Sequence, residues 1–122
     1  MPPKRRVLVV EDEVIIRMDL VDFLVHEGFE VVEAANADQA ITILEASDKI
    51  QIIFTDVDMP GSMNGIKLAA AVRNRWPPVN IVVTSGHHAV KLTDLPEDSL
   101  FFAKPHDHAA MAAALHGLVL RS

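Results

Sequence analysis

The chain is built around short, uninterrupted apolar runs, and these limit its fold more than any other feature. Val7-Leu8-Val9-Val10 shows no alternation of polar and apolar residues, and short apolar runs also stand within the stretch from Ile50 to Thr55 and in Ile81-Val82-Val83 up to Thr84. A strand with one wet face would alternate, so such runs predict strands buried on both faces. Two more strands are expected at Glu30 to Ala34 and Leu100 to Ala103. Amphipathic stretches lie between them. From Glu13 to Glu27, Val14, Ile15, Met18, Val21, Leu24 and Val25 recur at helical spacing and are expected to mark an apolar face, with Gly28 where a C-terminal cap belongs. Ala37 to Ala46 reads as a helix with Asn36 as N-cap. Gly65 to Arg75 reads as a helix ended by Pro77-Pro78, and an alanine-rich helix is expected from His106 to Leu120. The stretch Ser85 to Ser99 has only Ala89, Val90 and Leu92 as an apolar face and reads as a short or irregular helix closed by Pro96.

Five strands alternating with helices predict an α/β fold: a single doubly wound, five-stranded parallel sheet flanked by helices. Right-handed crossovers place the C-terminal ends of all strands at one edge, where ligands of such sheets bind. With 122 residues the chain suits one domain, 1–122, with a core of about 6–120. Its formal net charge of −6 argues against a nucleic-acid binder, and Lys4-Arg5-Arg6 reads as a solvated N-terminus. No apolar run is long enough to span a membrane, and Glu11, Asp12 and Glu13 break the pattern of a signal peptide. The chain has no cysteine, hence no disulfide and no thiolate metal site. A cytoplasmic protein without nucleic-acid or membrane partners is expected.

The residues that follow the strands carry the chemistry. Glu11-Asp12 follow the first, Asp56 and then Asp58 the third, Thr84 ends the fourth, and Lys104-Pro105 follow the fifth. Carboxylates gathered at one edge repel, so the cluster calls for a cation. Hard oxygen ligands with room for water suit Mg²⁺, which also takes phosphate oxygens. An aspartate beside Mg²⁺ and a lysine is equipped to attack phosphorus, with the two cations stabilising the transferring group.

As an ordered set, these residues resemble the receiver domain of bacterial two-component response regulators. The carrying motifs are Leu8-Val9-Val10-Glu11-Asp12-Glu13, Asp56-Val57-Asp58-Met59-Pro60, Gly65, Thr84-Ser85-Gly86 and Phe101-Phe102-Ala103-Lys104-Pro105, spanning Arg6 to about Leu120. The resemblance implies a flavodoxin-like sheet of order 2-1-3-4-5 and a phosphoacceptor at Asp56. It also implies Mg²⁺ bound by Asp12 and Asp56 directly, by Glu11 through water and by the backbone carbonyl of Asp58. Thr84 and Phe101 become the switch residues, Lys104 the phosphate-binding lysine and Pro105 a cis-proline. Phosphorylation would draw Thr84 inward, let Phe101 turn, and reshape the face made by the 85–99 stretch, the last strand and the last helix. The implied partners are a histidine kinase or histidine phosphotransfer protein and an unknown downstream protein target. The implied chemistry is at most self-phosphorylation from small donors and self-dephosphorylation. Two departures stand out: Glu11 replaces the commoner aspartate, and Gly65 lies nine residues after Asp56, one more than is usual in the family. His106 stands where an apolar residue often follows the Lys-Pro pair. With the last helix expected to end close to the end of the chain, the expectation is either a regulator that acts through a partner or a receiver cut from a larger protein, and the Met1-Pro2-Pro3 start favours the first.

Other readings are weaker. Among the six histidines, His87-His88 and His106-x-His108 lack the spacing of a helical zinc pair, so surface positions are expected. Met59, Met63 and Trp76 read as packing groups. Asp56-Val57-Asp58 also resembles the D-x-D motif of haloacid-dehalogenase-like phosphatases, Mg²⁺-dependent enzymes in which these residues would be nucleophile and general acid. That motif normally follows the first strand, and the alternative leaves Glu11-Asp12 unexplained.

Overall fold

A computed structural model describes residues 5–57, 64–85, 95–103 and 108–121. The elements run β1 (Arg6–Val10), α1 (Val14–His26), β2 (Glu30–Ala34), α2 (Ala37–Ala46), β3 (Ile52–Asp56), α3 (Gly65–Arg75), β4 (Asn80–Ser85), β5 (Leu100–Ala103) and α4 (His108–Arg121). The five strands form one sheet of order β2-β1-β3-β4-β5, and every neighbouring pair is parallel. Residues 86–94, 58–63 and 104–107 lie outside the described residues. So do the helix expected between Ser85 and Ser99, the side chain and carbonyl of Asp58, and Lys104, Pro105 and His106.

The sheet is covered on both faces, as the apolar runs require. Side chains alternate across a strand. Thus Val7 and Val9 join Ile52, Phe54 and Val82 in a core completed by Leu20 and Leu24 of α1 and Met111 and Leu115 of α4. Leu8 and Val10 join Ile53, Ile81 and Val83 on the other face, against Ala40 and Leu44 of α2 and Leu68, Ala69 and Val72 of α3. Leu8, Val9, Ile53 and Val82 are wholly inaccessible. The expected strands are therefore present, with small shifts at their ends: β1 begins at Arg6, β3 runs from Ile52 to Asp56 and β4 from Asn80 to Ser85, so both Asp56 and Thr84 belong to the ladder.

The helix ends follow the local chemistry. Asn36 caps α2 by accepting from the Gln39 N–H at 2.8 Å, and Asn64 caps α3 through the Lys67 N–H at 3.0 Å. Gly28, at φ +95°, turns the chain out of α1, and the Gly28 and Phe29 N–H groups return to the carbonyls of Val25 and Leu24. The face of α1 is a correction. Val14, Ile15, Met18 and Val25 are 53–82% exposed, while Leu20 and Leu24, with Ile16 and Phe23 beside them, face the sheet. The helix is apolar on most sides, so periodicity alone could not choose the buried one.

His108 docks α4 onto α1, and His116 docks it onto the turn that follows α1. His108 stacks on Phe23 at 4.4 Å between centroids and lies 3.3 Å from the Asp19 carboxylate. His116 stacks on Phe29 at 5.8 Å and lies 3.0 Å from Glu27. Both are exposed, as expected of surface histidines.

Candidate functional site

The site lies at the C-terminal edge of β1, β3 and β4. Parallel pairing brings the ends of non-consecutive strands together there. Glu11 continues β1 by one residue, its N–H donating to the Ala34 carbonyl at the end of β2, 3.1 Å away. Its carboxylate turns back and accepts from the Glu13 N–H at 3.2 Å, just before α1 begins. The residue is 1% exposed. Its main-chain carbonyl accepts from Arg17 Nη1 at 2.8 Å. Asp12 comes next, half-buried, and its Oδ1 is buried without a hydrogen-bond partner among the described residues.

Asp56 ends β3 and is 3% exposed. Its backbone is held tightly. The following residue, Val57, donates its N–H to the Thr84 carbonyl at 2.9 Å and accepts from the Gly65 N–H at 3.1 Å. A Cβ on Gly65 would stand only 2.1 Å from the Asp56 carbonyl oxygen and 2.7 Å from Val57 Cα. The start of α3 thus abuts the main chain of Asp56, and only a glycine permits this approach. The extra residue between Asp56 and Gly65 has not displaced that contact.

Carboxylate oxygens of Glu11, Asp12 and Asp56 all lie within 4.8 Å of one another. At an effective dielectric of about 20, two unit charges 4 Å apart repel by roughly 4 kcal/mol. Such a set, in which Asp12 also has one buried oxygen without a hydrogen-bond partner among the described residues, fits a divalent cation with oxygen preference. Among the described residues, no histidine belongs to the group. Thr84 is 1% exposed, and its Oγ1 is also buried without a partner among the described residues. A buried hydroxyl in that state has a donor to offer an incoming acceptor. Phe101 is half-buried opposite Val83 and packs against the core shared with α2 and α3.

Of the residues singled out in the sequence, the structure brings Glu11, Asp12 and Asp56 together at this edge and sets Thr84 beside Asp56, while Phe101 lies back along β5 opposite Val83. Asp58, Lys104 and Pro105 fall outside the described residues. Arg17 was missed. A single cation within an apolar helix, five residues after Asp12, was the available signal.

Comparison with known proteins agrees with this geometry. The description "Response regulator receiver domain" matches residues 7–116. The chain is 38% identical over 82 residues to the transcriptional regulatory protein PdtaR of Mycobacterium tuberculosis. It is 34% identical over 86 residues to a putative NtrX-like response regulator of Rickettsia bellii. These matches cover 66% and 70% of this chain but only 39% and 18% of the relatives' own length. Two solved receiver proteins match nearly end to end. The one from Sinorhizobium medicae has a TM-score of 0.87 and 28% identity, covering 94% of each chain. The one from Pseudomonas putida has a TM-score of 0.81 and 28% identity, covering 100% of each. The phosphatase alternative finds no support in these similarities. Among the described residues, no helix is long and apolar enough to cross a membrane. The sheet order, the carboxylate cluster and the match over most of the chain lead to one conclusion: this chain belongs to the response regulator receiver domain family of two-component systems.

Proposed function

We propose that Asp56 is the phosphoacceptor and that the protein serves as a phosphorylation-driven switch. The observation that supports this best is the grouping of three carboxylates within 4.8 Å, two of them almost fully buried, beside a Thr84 hydroxyl that has no partner among the described residues. A carboxylate oxygen of Asp56 would attack the phosphorus of a phosphohistidine. The new O–P bond forms as the P–N bond breaks, and the departing imidazole takes up a proton.

In this reading Asp12 and Asp56 hold a Mg²⁺ ion directly, Glu11 acts through water and Asp58 offers its main-chain carbonyl. The ion would supply charge neutralisation for the incoming phosphoryl oxygens. Glu11 is tied to the Glu13 N–H and so is held in place rather than free to swing. Lys104 would pair with a phosphoryl oxygen, and the Lys104-Pro105 bond would be cis in this reading. Thr84 would donate its hydroxyl to another oxygen, and Phe101 would repack as Thr84 moves.

The donor is a histidine kinase or a histidine phosphotransfer protein. Its histidine must reach the end of β3, so its body must rest on nearby surface. The exposed Val14, Ile15 and Met18 begin two residues after Asp12 and offer an apolar footing there. A downstream protein would read the phosphorylated state. A cytoplasmic setting belongs to the same reading, because nucleotide-derived phosphoryl groups are made there. The protein's own chemistry would be limited to self-phosphorylation from small donors and slow self-dephosphorylation.

The test is incubation with labelled acetyl phosphate and Mg²⁺, followed by peptide mapping. One phosphoryl group on Asp56, absent in Asp56→Asn and absent with chelator, is expected. Labelling of another residue, or undiminished labelling of Asp56→Asn, overturns the assignment.

A further inference from the structure

We infer that Arg17 is a positioning residue for the acidic site, fixing the Glu11-Asp12 turn in its cation-binding arrangement while Glu33 holds the guanidinium. The inference rests on the metal-binding reading of Glu11, Asp12 and Asp56.

The geometry is a two-armed clamp. Arg17 rises from the second turn of α1 and donates from Nη1 to the Glu11 carbonyl at 2.8 Å. Its Nε donates to the Glu33 carboxylate at 3.1 Å. Glu33 lies in β2 one residue before Ala34, whose carbonyl accepts the Glu11 N–H. Both main-chain polar groups of Glu11 are therefore tied to the end of β2, one directly and one through the guanidinium. The Glu11 carboxylate is tied to the Glu13 N–H. The Glu13 carbonyl in turn accepts the Arg17 N–H at 2.9 Å. Residues 11–13 carry the acidic pair, and they are held from three directions.

The choice of arginine follows from its shape. A guanidinium offers rigid, divergent N–H groups and can serve two acceptors at once, whereas an ammonium is a compact point charge. The charge balance also matters. A lone cation beside the acidic cluster would compete with a divalent ion. Paired with Glu33, Arg17 adds no net charge. The Arg17 side chain is 18% exposed and Glu33 50%, so the clamp lies at the rim of the fold and its worth is in orientation rather than stability.

The same fold supplies an internal control. Arg6 and Glu30 form an ion pair across β1 and β2 at the opposite end of these strands, with side chains 28% and 50% exposed. The double variants Arg17→Gln/Glu33→Gln and Arg6→Gln/Glu30→Gln each preserve net charge and each remove one such pair.

The experiment titrates each protein with Mn²⁺, following free ion by electron paramagnetic resonance, and checks folding by circular dichroism without metal. Loss of a group that orients metal ligands typically weakens affinity by 10–100-fold. For Arg17→Gln/Glu33→Gln a roughly tenfold loss is expected, towards the lower end of that range, with Arg6→Gln/Glu30→Gln unchanged. Arg17→Lys keeps the charge but one arm only, and an intermediate affinity is expected. It also serves should the double variant fail to fold. Wild-type affinity in the Arg17 variants, or equal losses at both ends of the strands, overturns the inference. Failure of the wild type itself to bind Mn²⁺ removes the metal reading and this inference with it, and that result is distinct from the other two.

Discussion

Asp56 and Thr84 stand opposite each other in the parallel register of β3 and β4, so their side chains leave the same face of the sheet from adjacent strands. The proposed acceptor carboxylate and the Thr84 hydroxyl, which has no partner among the described residues, are thus neighbours before any phosphate arrives. On this arrangement Thr84→Ala should still be phosphorylated at Asp56 but respond poorly. A hydrogen bond to a charged phosphoryl oxygen contributes about 2 kcal/mol, equivalent to roughly 30-fold in the balance between switched and unswitched states. Amide hydrogen exchange across β5, with and without phosphate, measures the response. Thr84→Ser should restore it. An undiminished exchange change in Thr84→Ala would show that the hydroxyl does not read the phosphate.

Crowded carboxylates have a cost in the metal-free protein. Asp12→Asn should raise the stability of the apo form by about 1–3 kcal/mol, since it relieves repulsion from Glu11 and Asp56. The same change should weaken Mg²⁺ binding more than Glu11→Gln does, because Asp12 is the proposed direct ligand. Thermal unfolding with and without Mg²⁺ checks both parts. An Asp12→Asn protein that is less stable without metal, or that binds Mg²⁺ as tightly as the wild type, contradicts the prediction.

Gly65 and Gly117 should respond to alanine in opposite directions. At Gly65 a methyl group would meet the Asp56 carbonyl at 2.1 Å, and backbone rather than a yielding side chain must move. A loss of about 3 kcal/mol is expected, together with weaker phosphorylation. At Gly117, inside α4, nothing lies within 4 Å of the added carbon. Gly117→Ala should stabilise by about 0.8 kcal/mol through helix propensity alone. Urea unfolding of the two variants gives both values.

The seam that α4 makes with the turn after α1 should depend on its stacked ring. His116→Ala removes the contact with Phe29, and a loss of about 1 kcal/mol is expected. A stability unchanged within a few tenths would show that the ring contact contributes nothing.

Much of this molecule was legible in the chain, and for definite reasons. Leu8, Ile53 and Val82 sit in strands covered on both sides, and that burial is written as unbroken apolar sequence. Asp12, Asp56 and Thr84 were recognisable because topology gathers strand ends, so position after an apolar run carries spatial meaning. The buried side of α1 was not legible. Val14 and Met18 are as apolar as Leu20 and Leu24, and only packing against the sheet separates them. The Arg17 clamp was hidden for another reason. Its acceptor is a main-chain carbonyl, which every residue possesses, so no pattern of side chains announces it.

The hydrogen bond from Gly65 N–H to the Val57 carbonyl joins the two sides of the connection between β3 and α3 at its base. The chain leaves β3 and enters α3 through two residues that touch. The main chain beside Asp56 is thus anchored from both neighbours, by β4 through the Val57 N–H and by α3 through Gly65. In the phosphoacceptor reading proposed above, the carboxylate keeps its place through main-chain contacts, which a change of side chain at 58–63 does not remove.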